Sequence, residues 1–90
     1  MVKPQKKNVS RFSEDHANVR DLILYNDEVN TFEFIIRSLI EVCDHMPEQA
    51  EQCALIAHYK GKCTIKTGDY YEVKPPFDEL SFRGITVSIE

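Results

Sequence analysis

The sequence is poor in the glycine-containing motifs that mark many enzymes, because it has only three glycines among 90 residues. A phosphate-binding loop needs several glycines so that backbone amides can approach the phosphates, and no such loop is present. The G-x-S-x-G motif that exposes a nucleophilic serine is absent as well. No apolar run approaches the roughly 18 residues that cross a bilayer. The sequence therefore predicts neither a phosphate-loop enzyme nor a serine hydrolase nor a membrane protein.

Cysteine is also scarce, and its odd number excludes complete pairing within the chain. Cys43, Cys53 and Cys63 lie in apolar stretches without C-x-x-C spacing, as expected for packing residues in a reducing compartment. On one predicted helix, Cys53 and His58 point about 140° apart, so a Cys–His catalytic pair is not expected. No metal site or cofactor is predicted, because four residues of this region lack a recognised zinc-ligand spacing: Cys43, His45, Cys53 and His58.

Positive charge is concentrated at the beginning of the chain. The formal net charge is −4, yet the first dozen residues carry +4, which leaves −8 for the rest. An acidic body is not typical of nucleic-acid binding, which needs a basic face, although the arm alone could contact nucleic acid or an acidic protein. Residues 1–17 are polar and lack the apolar stretch of a secretory signal, which predicts a flexible arm and a cytoplasmic protein. Residues 18–90 are predicted to form one core domain.

The core domain is predicted to begin with a buried strand and two helices. Leu22–Tyr25 is a short apolar run of strand-forming residues. Asn30 and Glu33 fit a capping box at the start of an amphipathic helix of about three turns, with Asn30 as the N-cap. Pro47 suits the first turn of a second helix, which carries a narrow stripe of small residues. Gly61 suits the C-terminal cap of that helix.

The last third of the chain predicts a strand, a helix and a strand. Cys63–Thr67 alternates in polarity, and Asp69 with Glu72 is suited to cap a third helix. The pair Pro75-Pro76 conflicts with a continuous helix, because proline lacks an amide hydrogen and clashes with the preceding turn. We therefore expect a short or kinked helix that is clearest after the second proline. Ile85–Ile89 alternates cleanly and predicts a final strand.

The predicted order is β-α-α-β-α-β, which defines the fold class as α/β. Three short strands with a helix pair on one side cannot all be parallel. We expect a small two-layer sandwich, in which a three-stranded antiparallel or mixed sheet is covered by helices.

This order and three local sequences resemble the ClpS family. The sequences are LYNDE at 24–28 running into NTFEF at 30–34, AHYKGK at 57–62, and the terminal strand at 85–90. The family pattern is roughly N-D-D-x-x-T-P-M-E-F-V, followed after the same intervening length by a helix that ends in V-H-x-x-G. The shared spacing makes the resemblance specific, and it covers about residues 21–90.

ClpS proteins are non-enzymatic adaptors. They recognise an N-terminal Leu, Phe, Tyr or Trp on a protein destined for degradation and deliver it to the N-terminal domain of a ClpA- or ClpC-like unfoldase. A free α-amine needs convergent acceptors, one of them anionic, and the side chain beside it needs a dry pocket. The resemblance implies that the substrate N-terminus is bound by Asn26, Asp27, Glu28, Asn30 and His58. It implies a hydrophobic pocket formed by Phe32, Ala54, Ala57 and Ile85. We expect a monomer that binds no nucleic acid or membrane.

Several residues depart from the family pattern. Glu28 replaces an aspartate and lengthens the acidic side chain by one methylene, and Phe32 replaces the gating methionine with a stiffer ring. Ala54 and Ala57 stand where the family carries larger side chains, usually Met and Val. These truncations enlarge the pocket unless the ring of Phe32 occupies the space. We expect a pocket that prefers aromatic N-terminal residues over Leu.

The alternative is a docking or regulatory module on the unfoldase or another partner, with a degenerate pocket that does not select N-terminal residues. The order of strands and helices also resembles the C-terminal domain of the ribosomal stalk protein. Dependence of binding on a free α-amine discriminates between the two functions.

Overall fold

Three strands and three helices make up the part of the chain that the computed structural model describes, residues 18–90. The expected flexible arm, residues 1–17, lies outside the described residues. The elements follow the predicted order β-α-α-β-α-β. The strands are β1 (Arg20–Tyr25), β2 (Lys62–Gly68) and β3 (Val87–Ile89), and the helices are α1 (Phe32–Cys43), α2 (Pro47–Lys60) and α3 (Tyr70–Phe82).

The sheet is antiparallel, with β1 as its central strand and the order β2-β1-β3. Leu22 pairs with Lys66 on one side and with Ile89 on the other, and a bulge interrupts the β1–β2 ladder after Leu22. Leu22, Ile23 and Leu24 of β1 are all buried, which explains why this strand is a nearly continuous apolar run. The predicted α/β class and element order are confirmed, and the choice between antiparallel and mixed pairing is resolved.

The helices pack on the face of the sheet that carries Leu22 and Leu24. Both leucines are fully buried, as are Leu39 of α1 and Val73 and Leu80 of α3. The small residues of α2 join the same apolar cluster, so α2 approaches the sheet closely. The layered architecture therefore follows from one apolar face of the sheet meeting one apolar stripe of each helix.

The predicted N-cap of α1 is wrong by one residue. Thr31 is the N-cap, and its hydroxyl accepts a hydrogen bond of 3.0 Å from the amide of Phe34. Asn30 precedes the cap, and its side-chain amide donates to Asp27 and to the carbonyl oxygen of Gly84. Threonine and asparagine are both good N-caps, so their intrinsic preference alone does not distinguish these two adjacent positions.

Helix α3 is longer than the sequence predicts, since it starts at Tyr70 and runs through both prolines. The predicted capping box is confirmed: Asp69 accepts from the amide of Glu72, and the Glu72 carboxylate accepts from the amide of Asp69. Because proline has no amide hydrogen, the carbonyls four residues before the two prolines have no amide partner in the helix. These are the carbonyls of Tyr71 and Glu72. Both residues are exposed, so water can satisfy these carbonyls.

The last strand is shorter than predicted and begins at Val87 rather than Ile85. Ile85 lies in the segment between α3 and β3, where its amide donates to the carbonyl oxygen of Leu80. Its side chain is buried in the apolar core. The alternation of Ile85 with Val87 therefore reflects a buried side chain that precedes the strand.

His45 is a buried polar residue in the turn between α1 and α2. Its Nε2 lies 2.7 Å from the carbonyl oxygen of Ile65 in β2, and a carbonyl can only accept, so Nε2 carries the hydrogen. This bond fastens the turn to the sheet.

Candidate functional site

A cavity of about 260 Å³ opens where the C-terminal end of β1 meets the loop at 26–30, the first turns of α1 and the second half of α2. Its lining combines an apolar wall with a polar rim. The lining residues are Leu24, Tyr25, Asn26, Asp27, Glu28, Asn30, Phe32, Ile35, Ala54, Ala57 and His58.

Asp27 organises the loop that forms the polar rim. Its Oδ1 accepts from the amides of Val29 at 2.7 Å and Asn30 at 3.0 Å, and its Oδ2 accepts from the Asn30 side chain at 2.6 Å. Partial burial raises the pKa of this carboxyl, but the three hydrogen bonds outweigh it and leave the pKa below its ordinary value. Asp27 therefore stays ionised and holds the loop, which leaves its oxygens little capacity for a ligand.

Asn30 fastens the same loop to a distant part of the chain. Its Nδ2 donates to Asp27 and also, at 3.0 Å, to the carbonyl oxygen of Gly84 beyond α3. Both amide hydrogens are thereby used, and the role of Asn30 in this structure is to fix the loop to the segment that follows α3.

Asn26 and Glu28 present acceptors at the exposed mouth of the cavity. The Nδ2 of Asn26 donates to Oε2 of Glu28 at 3.1 Å. With the amide in this orientation, the Asn26 carbonyl oxygen is directed away from Glu28 and remains available as an acceptor. Glu28 adds a carboxylate, so the mouth offers an amide oxygen and an anion within two residues.

His58 lies in the last turn of α2 and also lines the cavity. Its exposed ring packs edge-on against the ring of Tyr59, with centroids 4.9 Å apart and planes at 81°. Helix α2 ends at Gly61, whose positive φ of 100° a glycine adopts without strain. The carbonyl oxygen of Gly61 accepts from the amide of Asn26 at 2.9 Å, so one backbone bond positions the strand end and the helix end together.

The apolar wall is built from small and buried side chains. Ala54 and Ala57 of α2 are buried, as are Leu24 of β1 and Ile35 of α1. Phe32, at the start of α1, is 38% exposed, which places its ring at the edge of the cavity rather than in the core. Two alanines on the wall leave open the space that larger residues on α2 would fill.

The structure brings together all but one of the residues that the sequence assigns to the site. Ile85 is the exception, because it is buried in the core and is not part of the cavity lining. Leu24, Tyr25 and Ile35 line the cavity and were missed by the sequence analysis. Leu24 lies two residues before Asn26, which directly follows β1, and Ile35 follows Phe32 by one helical turn. Periodicity from the assigned residues could therefore have found both.

Neither a metal centre nor a membrane segment is found within residues 18–90. No group of three histidine, cysteine or carboxylate side chains there could hold a metal ion. No helix in the same residues is long and apolar enough to cross a bilayer.

A concave apolar wall beside a few convergent polar groups is the arrangement of a small ligand-binding domain. A family model described as ATP-dependent Clp protease adaptor protein ClpS matches residues 15–82. The chain therefore belongs to the ClpS family, which consists of adaptors and not of enzymes.

The chain is also similar in sequence to one ClpS adapter protein and in fold to one solved structure. The ATP-dependent Clp protease adapter protein ClpS of Nitratidesulfovibrio vulgaris is 36% identical over 55 residues, which are 59% of this chain and 55% of that protein. The match thus spans about half the length of the relative. The structure of Agrobacterium tumefaciens ClpS2 bound to L-phenylalaninamide has a TM-score of 0.69 at 18% identity, and covers 81% of this chain and 95% of that chain. At this identity the likeness shows a common fold.

Proposed function

We propose that this protein binds other proteins through a bulky hydrophobic N-terminal residue and its free α-amine, and delivers them to a Clp unfoldase–protease. The observation that carries the proposal is the cavity itself, in which a polar rim with a carboxylate borders a small-residue apolar wall. The N-terminus of a protein is the place where a charged donor and a side chain share one carbon atom. A site with both kinds of surface in contact matches that chemistry.

The polar rim supplies acceptors for the α-ammonium group, which carries a positive charge and three N–H donors. The Asn26 carbonyl oxygen accepts one hydrogen, a neutral ring nitrogen of His58 accepts another, and Glu28 provides the compensating charge. Asp27 and Asn30 act indirectly in this proposal, because their hydrogen bonds to each other hold the loop that carries Asn26 and Glu28.

The apolar wall selects the side chain. Ala54 and Ala57 give depth to the cavity, and Phe32 at its edge offers a ring against which an aromatic side chain can stack. We expect Phe, Tyr and Trp to bind more tightly than Leu. The structural relative with a TM-score of 0.69 was solved with L-phenylalaninamide, an aromatic residue with a free α-amine, which supports this class of ligand.

The partner would be the N-terminal domain of a ClpA- or ClpC-like unfoldase, and the protein would act as a cytoplasmic monomer without a cofactor. Membership of the Clp adaptor family supports this assignment. Residues 1–17 would take part in handing the substrate over, while residues 18–90 bind its N-terminus.

The proposal is tested by fluorescence-anisotropy binding of Phe-, Leu- and Val-initiated peptides, each with a free and an acetylated N-terminus. We expect the free Phe peptide to bind most tightly, and the Val peptide weakly because its small side chain buries less apolar surface in the cavity. Acetylation removes the charge and two of the three N–H donors, and should abolish binding. Equal binding of free and acetylated peptides would contradict the proposed mechanism.

A second function is favoured by exposed aromatic residues away from the cavity. Tyr71 and Phe82 of α3 are 83% and 87% exposed, and neither lines the cavity. Such residues suit a docking or regulatory module that does not select N-termini. Binding to an unfoldase N-terminal domain without binding to any free-amine peptide would favour this function.

A further inference from the structure

One arginine, which directly follows α3, ties the end of that helix to the second half of α1. The Nη1 of Arg83 donates to the hydroxyl of Ser38 at 3.1 Å and to Oε1 of Glu41 at 2.8 Å. Its Nε donates to Oε2 of Glu79, one turn earlier in α3, at 3.1 Å. Ser38 is fully buried and Arg83 is half-buried, so the contact reaches between the two helices. The guanidinium group therefore joins both helices.

The arrangement of these bonds matters more than the strength of any one of them. An ion pair between exposed side chains contributes little by itself, and Glu41 and Glu79 are each 50% exposed. The guanidinium group is planar, however, so acceptors on two of its edges fix its orientation as well as its distance. Glu79 holds it from α3, while Ser38 and Glu41 hold it from α1. The end of α3 thus has a defined position relative to α1.

The chain after Arg83 turns tightly and presents a carbonyl to the loop at 26–30. The amide of Gly84 donates to the carbonyl oxygen of Ser81 at 2.9 Å, which keeps the turn attached to the last residues of α3. Gly84 has a φ of 82°, which a glycine adopts without strain. The position of the Gly84 carbonyl oxygen therefore depends on the position of the end of α3.

Asn30 connects this carbonyl to the loop at 26–30. Its Nδ2 donates to the carbonyl oxygen of Gly84 at 3.0 Å and to Oδ2 of Asp27 at 2.6 Å. Asp27 organises the loop from within, and the contact with Gly84 is the point at which the loop meets the segment after α3. A shift of the Gly84 carbonyl would therefore disturb the loop that carries the acceptors at the cavity mouth.

We propose that Arg83 is a positioning residue for the amine-binding rim of the cavity. By joining α3 to α1, it fixes the Gly84 carbonyl, which holds Asn30. Asn30 in turn fixes the loop that presents Asn26 and Glu28. Arg83 itself is not part of the cavity lining. The effect on ligand affinity rests on the proposed function, whereas the ordering of the loop by Arg83 does not.

The effect on affinity is tested with the Phe-initiated peptide that has a free N-terminus. We expect Arg83→Ala to bind it about fivefold more weakly than the wild type, because the rim loses a remote support and keeps its own side chains. Lys74→Ala is the matched control, since it breaks an exposed ion pair with Asp78 within α3 and should bind as the wild type does. Wild-type affinity in Arg83→Ala, shown by circular dichroism to be folded, would overturn the proposal.

A double-mutant cycle tests whether Arg83 acts through Asn30. If it does, Arg83→Ala causes no further loss of affinity once the Asn30 side chain is gone, and the double variant binds as Asn30→Ala does. A general loss of stability would not depend on the Asn30 side chain, so the two losses would then multiply. Losses that multiply would therefore overturn the proposal.

Glu41→Ala tests the same connection without a change in α3 or in the cavity lining. Glu41 is exposed, so this variant should stay folded even if Arg83→Ala does not. We expect the amide NMR signals of Val29 and Asn30 to shift in Glu41→Ala. The same signals should shift in Arg83→Ala and should keep their wild-type positions in Lys74→Ala.

These NMR signals are measured without a peptide, so they separate the inference from the proposed function. Unchanged signals of the loop at 26–30 in Glu41→Ala would overturn the positioning role of Arg83. A wild type that binds no free-amine peptide would contradict the proposed function and with it the effect on affinity. The NMR signals would still decide whether Arg83 holds the loop.

Discussion

The backbone amide of Asn26 donates a hydrogen bond of 2.9 Å to the carbonyl oxygen of Gly61. These residues follow β1 and α2 respectively, so the bond joins the ends of two elements that each contribute a polar residue to the cavity. The side chain of Asn26 is free of this task and points to the rim, where it contacts Glu28. The backbone of Asn26 therefore fixes the position of this residue, and its side chain stays available to a ligand.

Replacing Asn26 by alanine separates these two roles, because the substitution removes the side chain and keeps the backbone bond. A hydrogen bond to a charged group contributes about 1.5–3 kcal/mol, so peptide affinity should fall by roughly tenfold to 100-fold. Binding by fluorescence anisotropy, with urea unfolding of the same variant, measures the two effects. The unfolding free energy should change little.

Glu28→Gln is the matched control for charge, since it keeps the size of the side chain. We expect it to weaken binding of the free-amine peptide more at low than at high salt, because screening reduces the contribution of the carboxylate. If Asn26→Ala and Glu28→Gln both bound the peptide with wild-type affinity, the α-amine would bind at a different site.

How much of this site the sequence predicts depends on how local its determinants are. The capping box of α3 joins residues three apart, and Asp69 and Glu72 form it as predicted. At the start of α1 the sequence predicted Asn30 as the N-cap, whereas Thr31 caps the helix and Asn30 contacts Gly84, 54 residues away. Local pattern cannot reveal such a contact.

The site shows the same limit. Asn26, Phe32, Ala57 and His58 were assigned through a spaced motif, and the structure gathers them around one cavity. Ile85 was assigned to the pocket through the same resemblance, but it is a buried core residue outside the cavity lining. Period-two alternation indicates which side chains face inward, but does not tell whether they face a cavity or a filled core.

Asp27 predicts a specific pH dependence of stability. Its pKa in the folded protein lies below the ordinary value, so its contribution is present above the unfolded pKa and is lost as pH falls through the folded one. The free energy of unfolding should therefore decrease below about pH 4, the ordinary range of aspartate. Urea titrations at several pH values measure this decrease.

Asp27→Asn should be less stable than the wild type at pH 7 and should lose less stability on acidification, because the carboxylate that titrates is gone. Asp78→Asn on the exposed side of α3 is the control for removing a carboxylate from an ion pair at the surface. Parallel pH profiles for the wild type and Asp27→Asn would contradict the assignment.

The prolines inside α3 predict a stabilising substitution. Pro75→Ala restores the amide that the carbonyl of Tyr71 lacks and removes a residue that disfavours a helix interior. A proline inside a helix lowers the free energy of unfolding by about 3 kcal/mol, and its restriction of the unfolded chain raises it by up to about 1 kcal/mol. Pro75→Ala should therefore raise the free energy of unfolding by roughly 2 kcal/mol. Chemical unfolding followed by circular dichroism measures this change in the free energy of unfolding.

Pro47→Ala is the matched control, because proline is favoured at the first position of α2. No comparable gain in the free energy of unfolding is expected there. If both substitutions raised the free energy of unfolding equally, the interior proline would not be destabilising α3.

Ala57 sets the depth of the cavity and predicts a change in selectivity. Ala57→Val adds two methyl groups to the wall beside His58, where they occupy space that a bulky ligand side chain needs. Affinity for a Trp- or Phe-initiated peptide should fall by about tenfold, and affinity for a Leu-initiated peptide should fall less.

Ile56→Val is the control, since it places valine on the same helix outside the cavity lining. It should leave the ranking of the three peptides unchanged. Measuring all three peptides with each variant separates a change of shape from a loss of folding, because unfolding lowers every affinity by the same factor. If Ala57→Val lowered the affinity for all three peptides equally, Ala57 would not determine selectivity. If it lowered the affinity for the aromatic peptides alone, this one side chain would determine the depth of the pocket.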